Sequence, residues 1–179
     1  MRRIALIVLA LSLSPPAGAW VFYNHNFGDW VVVCWSSAEG ASDQQCDLSA
    51  PPETMLQRTD NLLHVREYAP DEFEVAIEMR GGDPQPDAPA SLKAGDFAAH
   101  IAPVANRWGR WSGPEGFLIV SEMRGSDNLT YRVRLAPNGR AQDKTISLVG
   151  FRDALDAYRA EIRRHGVLAP PSKSLQRRN

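Results

Sequence analysis

The sequence lacks most of the signals that identify an enzyme or a nucleic-acid-binding protein. It contains two cysteines and four histidines, and no His-Glu-x-x-His, Gly-x-Ser-x-Gly or phosphate-loop motif occurs. Basic and acidic residues nearly balance, with a formal net charge of −1. The chain therefore lacks the excess of positive charge that neutralises nucleic-acid phosphates. These absences predict no nucleic-acid partner, no metal and no cofactor.

The N-terminal residues have the pattern of a secretory signal peptide. Arg2 and Arg3 precede an apolar run at residues 4–13, and an Ala-x-Ala site ends at Ala19. A helix made from that run would reach about 15 Å, about half of a bilayer core of ~30 Å. We therefore expect residues 1–19 to be cleaved and the mature chain to begin at Trp20. The expected location is the periplasm, with secretion or the outer surface as alternatives.

Both cysteines, Cys34 and Cys46, lie in one short stretch next to the apolar run WVVVCW. In an exported protein, an even number of cysteines favours a disulfide bridge. A reactive or redox pair would need the Cys-x-x-Cys spacing. A zinc site would need two further ligands, and Asp43 and Asp47 are poor companions for thiolates. We predict a structural Cys34–Cys46 bridge, and a reactive or metal site is the alternative.

Charge and length after cleavage indicate a single domain with a polar tail. Removing residues 1–19 leaves 18 basic and 21 acidic residues. Residues 20–166 suffice for one β-rich domain with a sizeable core. Residues 167–179 contain two prolines, three basic residues and few apolar ones, which predicts a disordered basic tail. A weak contact of this tail with an anionic membrane or a partner is the functional alternative.

Alternation of apolar and polar residues predicts antiparallel strands with one wetted face. Residues 73–79 place Glu74 and Glu78 on the polar face, and residues 129–135 place Thr130, Arg132 and Arg134 there. Turn signals are expected at Asn24, Glu39–Gly40, Pro51–Pro52, Pro70–Asp71 and Pro137–Gly139. Weaker strand candidates are residues 30–35, 45–49, 62–68, 97–102, 116–123 and 145–149.

One segment has helical periodicity instead. Residues 151–166 place Phe151, Leu155, Tyr158 and Ile162 on one face and end at Gly166, which suits a left-handed cap. The proline-rich segment 81–91 is predicted to be a loop within the domain. The predicted fold class is all-β, an antiparallel β-sandwich or barrel-like architecture with one C-terminal amphipathic helix.

No catalytic residues can be assigned from the sequence. The histidines are far apart and suit ordinary surface or core positions, and Glu74 and Glu78 suit a solvated strand face. The best candidate for a binding surface is the stretch RWGRWSG, because tryptophan and arginine are enriched at binding hot spots. The alternative is that both tryptophan rings lie in the core. The candidate residues are Arg107, Trp108, Arg110 and Trp111.

Two stretches resemble the invasion-associated locus B family of exported bacterial proteins. FGDWVVVCW…QQCDLS is similar to its opening motif, and TISLVGFRDALDAY is similar to its closing strand and helix. The matching positions are Phe27, Gly28, Asp29, Trp30, Cys34, Cys46, Gly150, Phe151, Ala154 and Leu155. Many family members carry another cysteine pair in the middle of the chain, and this sequence has none. The resemblance implies an all-β periplasmic or surface protein linked to host-cell invasion or envelope function, with no established catalytic residues to carry over to this sequence.

The leading hypothesis is a non-enzymatic exported protein that binds an envelope or host protein. One alternative is an envelope or carbohydrate-active hydrolase whose carboxylate pair is assembled from distant strands. Another alternative is a periplasmic accessory subunit of a membrane complex that docks through its basic tail.

Overall fold

A computed structural model describes residues 19–50, 61–85, 87–136 and 140–166. Residues 1–18 of the predicted signal peptide, the Pro51–Pro52 and Pro137–Gly139 turn signals and the predicted tail at 167–179 lie outside these ranges. Neither helix in the described ranges combines the length and the apolar character needed to cross a membrane.

The described chain folds into eleven strands and two helices. In chain order these are β1 (Trp20–Phe27), β2 (Trp30–Ser36), β3 (Gln45–Ala50), β4 (Leu62–Ala69), β5 (Glu72–Glu78), β6 (Ala90–Ala94), β7 (His100–Ala102), β8 (Val104–Ala105), β9 (Trp108–Gly113), α1 (Pro114–Arg124), β10 (Asn128–Leu135), β11 (Arg140–Ser147) and α2 (Phe151–His165).

The strands form two antiparallel sheets that pack on a shared core. The larger sheet has the order β1-β2-β3-β4-β5-β9-β8, and the smaller has the order β11-β10-β6-β7. One buried apolar cluster joins Trp30 and Val75 of the larger sheet to Leu129 of the smaller sheet, Ile119 of α1 and Phe151 of α2. This arrangement confirms the predicted antiparallel sandwich with a C-terminal helix.

The C-terminal helix confirms its predicted amphipathic pattern. Phe151, Leu155, Tyr158 and Ile162 are all buried, and α2 packs on β1, β2 and β3. Gly166 has a φ of 67° and its N–H donates to Ile162 O, as a left-handed cap requires. The alternation predicted for residues 129–135 is also confirmed, since Leu129, Tyr131, Val133 and Leu135 face the core.

The two stretches that carry the family resemblance meet in space, although they lie far apart in sequence. Trp30 Nε1 donates to Ser147 O at 3.0 Å, and its ring lies 4.7 Å from that of Phe151. Gly150 has a φ of 85° and leaves no room for a Cβ, because Phe27 O lies against it. The opening turn and the start of α2 therefore form one packed corner of the molecule.

Residues 116–123 form most of helix α1, so the strand predicted there is wrong. Pro114 occupies the first turn, where its missing N–H costs no hydrogen bond, and Glu115 and Arg124 suit the helix dipole. The buried residues recur at helical spacing, namely Gly116, Ile119, Val120, Glu122 and Met123. A short apolar run does not by itself distinguish a buried helix from a buried strand.

Three smaller expectations also need correction. Asn24 lies within β1 and is not a turn, and residues 97–99 precede the short strand β7 and do not belong to it. Glu74 is 6% exposed, so the polar face of β5 is not simply solvated. The physical reason is that β5 is a central strand between β4 and β9, where Glu74 lies between Arg66 and Ser112 in the strand register.

Candidate functional site

The larger sheet has a second face that points away from the shared core, which we call the outer face. Side chains alternate along each strand, so Cys46, Leu48 and Val75 enter the core and their sequence neighbours lie outside. Strand register places polar residues from four adjacent strands next to one another. The outer face carries Val33, Asp47, Ser49, His64, Arg66, Glu74, Ala76, Glu78, Trp108, Arg110 and Ser112.

The centre of this face is a buried ion pair between β3 and β4. His64 Nδ1 lies 2.7 Å from Asp47 Oδ2, and Arg66 Nε donates to Asp47 Oδ1 at 2.8 Å. Burial alone would raise the pKa of Asp47, but the charges of His64 and Arg66 hold it well below its usual range. Burial alone would likewise lower the pKa of His64, but Asp47 and Glu78 raise it. Asp47 therefore stays ionised, and its carboxylate favours the protonated form of His64.

Glu78 of β5 extends the charged cluster on the other side of the imidazole. Its Oε2 lies 3.8 Å from His64 Nε2, which is too long for a hydrogen bond, and Arg80 Nε donates to the same oxygen at 2.8 Å. The nearby imidazole lowers the pKa of Glu78, burial opposes this effect, and Arg80 lowers the pKa further. We call Asp47, His64, Arg66, Glu78 and Arg80 the outer-face network.

Trp108 lies against this network because β5 offers a small residue at the crossing point. The indole comes from β9, and His64 lies two strands away on β4, yet their ring centroids are 5.4 Å apart. Ala76 lies between His64 and Arg110 in the strand register, and its methyl group leaves space for the ring to cross β5. The guanidinium carbon of Arg110 lies 4.7 Å from the centroid of the same indole, a cation–π contact.

Two arginines of the outer face keep hydrogen-bond donors available. Arg66 binds Asp47 only through Nε, and its side chain is 41% exposed. Among the described residues, Arg110 makes no hydrogen bond or ion pair, and its contact is with the Trp108 ring. Stacking therefore holds the Arg110 guanidinium in place, and no residue in the described ranges accepts a hydrogen bond from it.

The sequence-predicted surface residues separate into different environments. Trp108 and Arg110 lie half-buried on the outer face. Trp111 is 1% exposed and packs in the core, which corrects its assignment to the candidate surface. Arg107 is exposed but braces a turn, since its Nε donates to Met79 O at 2.8 Å. Alternation along β9 explains the division, because positions 108 and 111 necessarily face opposite sides.

Sequence reasoning missed Asp47, His64 and Arg66 as members of one cluster. Each occurs at an alternate position in a strand that is otherwise largely apolar, and that pattern was the available signal. Their contact depends on the register between β3 and β4, which no local pattern provides.

The predicted Cys34–Cys46 disulfide is present, and neither cysteine of the chain is free. The two residues lie directly opposite each other in the β2–β3 ladder and are buried in the core. The sulfurs are therefore joined inside the molecule, as the prediction of a structural bridge requires. Across the described ranges, no group of three or more His, Cys, Asp and Glu side chains is arranged to hold a metal ion.

The fold is similar to that of a solved structure described as the crystal structure of invasion associated protein B from Bartonella henselae. The sequence identity is 15% and the TM-score is 0.60, and the match covers 79% of this chain and 99% of that chain. No protein-family model and no curated protein matches the sequence. The relationship suggested by the two sequence motifs is therefore a relationship of fold.

Proposed function

We propose that this chain is an exported, non-enzymatic binding protein of the invasion-associated locus B type, and that its outer face contacts an envelope or host protein. The observation that carries the proposal is the stacked pair of Trp108 and Arg110. An aromatic ring with an unpaired guanidinium on a rigid sheet has the composition of an interface hot spot.

The geometry favours an acidic partner segment. Arg110 has unused donors and Arg66 exposes much of its guanidinium, and arginine binds carboxylates in bidentate geometry. The outer-face network holds this surface in a fixed arrangement before a partner arrives, which reduces the entropy lost on binding.

The charges of the outer-face network do not favour the hydrolase alternative. A glycosidase needs one carboxyl group with a raised pKa to act as the general acid. Asp47 and Glu78 flank the same imidazole, but the pKa of each is lowered. Both stay ionised near neutral pH and serve better as fixed counter-charges than as proton donors.

Export to the periplasm is part of the proposal. Two observations support it: the pattern of Arg2, Arg3 and the Ala-x-Ala site before Trp20, and the disulfide between Cys34 and Cys46, a bond that is rare in cytosolic proteins. The fold shared with an invasion-associated protein supports a role at the bacterial surface or in the envelope.

The test is capture of partners from envelope extract by the tagged protein, followed by mass spectrometry. We expect Arg110→Ala and Trp108→Ala to reduce capture of the specific partner at least tenfold, about 1.4 kcal/mol of binding free energy. The matched control is Arg163→Ala, which removes an exposed arginine from α2. Circular dichroism should show that all three variants fold.

Two results would contradict this assignment. Capture unaffected by Arg110→Ala and Trp108→Ala would remove the outer face as the contact surface. Hydrolysis of an envelope polysaccharide by the wild-type protein, abolished by Glu78→Gln, would favour the hydrolase alternative.

A further inference from the structure

The two sheets have four edges in the described part of the chain, and three of them are protected. Strands β7 and β8 are three and two residues long, too short to recruit another strand. Strand β11 has eight residues but carries Arg140, Asp143 and Lys144. Short length and charge are the usual protections of an exposed edge against pairing with another chain.

Strand β1 has neither protection. It spans eight residues, WVFYNHNF, with no lysine, arginine, aspartate, glutamate or proline. It pairs with β2 on one side, and no backbone hydrogen bond from a described residue reaches its other side. Within the described ranges, the backbone donors and acceptors on that side are therefore available to another strand.

The exposed side chains of β1 also favour association. Trp20 is 47% exposed and Val21 is 39% exposed. Farther along, Tyr23, His25 and Phe27 form a row of neighbouring rings, with centroid separations of 6.4 Å and 4.8 Å. On the other face of the strand, Asn24 and Asn26 are exposed and uncharged.

We propose that β1 pairs antiparallel with β1 of a second copy of this chain, which joins two seven-stranded sheets across a two-fold axis. Such an axis is perpendicular to the sheet, so residues opposite each other belong to the same face. The ladder of β1 is regular from Tyr23 to Phe27, which places the axis near His25.

This register is self-complementary. Tyr23 of one copy lies opposite Phe27 of the other, an aromatic cross-strand pair of the kind that stabilises sheets. Asn24 lies opposite Asn26, so two uncharged amides meet on the outer face. A strand rich in lysine, arginine, aspartate or glutamate would meet its own charges across the axis, and β1 has none of these four residue types. Neutrality favours a second copy over a partner strand that is selected by charge.

The test uses light scattering and sedimentation of the purified protein. We expect the wild-type protein to form a dimer, and the double variant Asn24→Asp/Asn26→Asp to weaken it at least tenfold. The substitutions are nearly isosteric and place acid opposite acid, about 5 Å apart between Cβ atoms. Asn24→Lys/Asn26→Lys should weaken the dimer equally, and mixing the two variants should restore it.

The matched control Asn106→Asp/Asn128→Asp adds the same charge at exposed positions away from β1 and should remain dimeric.

Three outcomes would overturn the proposal. The first is a wild-type protein that stays monomeric. This result overturns the proposal even if β1 then pairs with a strand of another protein. A dimer that is unaffected by the acidic double variant would use another surface. Failure of the mixed variants to associate would exclude direct pairing across the axis. None of these outcomes bears on partner capture by Arg110 and Trp108, so the two proposals can fail separately.

Discussion

At the scale of single residues, the outer-face network shows how a sheet can bury charge by pairing each charged group with an opposite one. Asp47 accepts from both His64 and Arg66, so each carboxylate oxygen has a charged partner. Such pairs contribute little net stability compared with apolar residues of equal volume, but removing one partner leaves a buried charge. The network therefore fixes geometry more than it adds stability.

The pair makes a pH prediction with a definite sign. Because the pKa of His64 is raised in the folded state, its contribution to stability is complete below the unfolded pKa of about 6.5. It is lost as pH rises through the folded pKa. Asp47 has a lowered pKa, and its contribution persists above the unfolded pKa of about 3.9 and is lost only in strong acid.

We therefore expect His64→Gln to reduce the free energy of unfolding by about 3 kcal/mol near pH 6. The difference between wild type and variant should shrink as the pH rises through the folded pKa of His64, because the wild-type imidazole then loses its proton. Urea denaturation at several pH values measures both quantities. Parallel stability curves for the two proteins would show that His64 is not charged in the native state.

At the residue level, prediction from sequence fell short in both alternation and register. The stretch RWGRWSG was predicted to place Trp108, Arg110 and Trp111 on one surface, but alternation along β9 puts Trp111 in the core. The contact of Trp108 with His64 depends on Ala76 in the strand between them. No property of the RWGRWSG stretch itself contains that information.

At the scale of elements, helix α1 fills the space between β5 and the smaller sheet. Its close approach to β5 depends on Gly116, because a Cβ there would collide with the backbone oxygen and carbon of Phe73. Interiors are packed to the density of organic crystals, so the collision cannot be relieved without moving the helix away from β5.

Gly116→Ala should therefore destabilise the protein by about 2 kcal/mol through overpacking. The matched control is Gly125→Ala at the end of the same helix. Gly125 has a φ of −96°, and its nearest added contact is Glu122 O at 3.5 Å. The free energy of unfolding of Gly125→Ala should rise by about 0.5 kcal/mol, because alanine restricts the unfolded chain. Chemical denaturation measures both changes. If Gly116→Ala and Gly125→Ala change the free energy of unfolding equally, the helix does not approach β5 this closely.

Comparison of the two helices shows why the sequence predicted some elements correctly and others wrongly. Helix α2 has polar residues around an apolar stripe, so its periodicity is visible in the sequence. Helix α1 includes the apolar run FLIV, which conceals the helical period and favours a strand by composition. Strand β1 was missed because Asn24 and Asn26 weaken its pattern, while its pairing with β2 determines its conformation.

At the scale of the whole molecule, contacts between distant segments close the sandwich. Arg159 of α2 donates to both carboxylate oxygens of Glu67 at 3.0 Å, and the Tyr158 hydroxyl accepts from Glu67 N–H at 2.9 Å. Trp30 and Ser147 join the first hairpin to the end of β11. The fold class followed from local patterns, whereas the strand order and these long-range contacts required the structure.

The Cys34–Cys46 bridge adds a covalent link between strands β2 and β3. It closes a loop of 13 residues, from 34 to 46, and in the chain-entropy model such a loop stabilises the folded state by about 3 kcal/mol. The two cysteines are already opposite each other in the ladder. Breaking the bond should therefore lower stability without changing the pairing of β2 and β3.

We accordingly expect chemical denaturation with reductant to show a free energy of unfolding about 3 kcal/mol lower than without it. The control is Cys34→Ala/Cys46→Ala, which lacks the bridge and should be insensitive to reductant. Its own stability should fall slightly below that of the reduced wild type, because alanine leaves a small cavity in the core. If the wild type is equally insensitive, or its unfolded form releases two thiols without reductant, the bridge does not stabilise the fold. The stability of the fold would then depend on its non-covalent contacts.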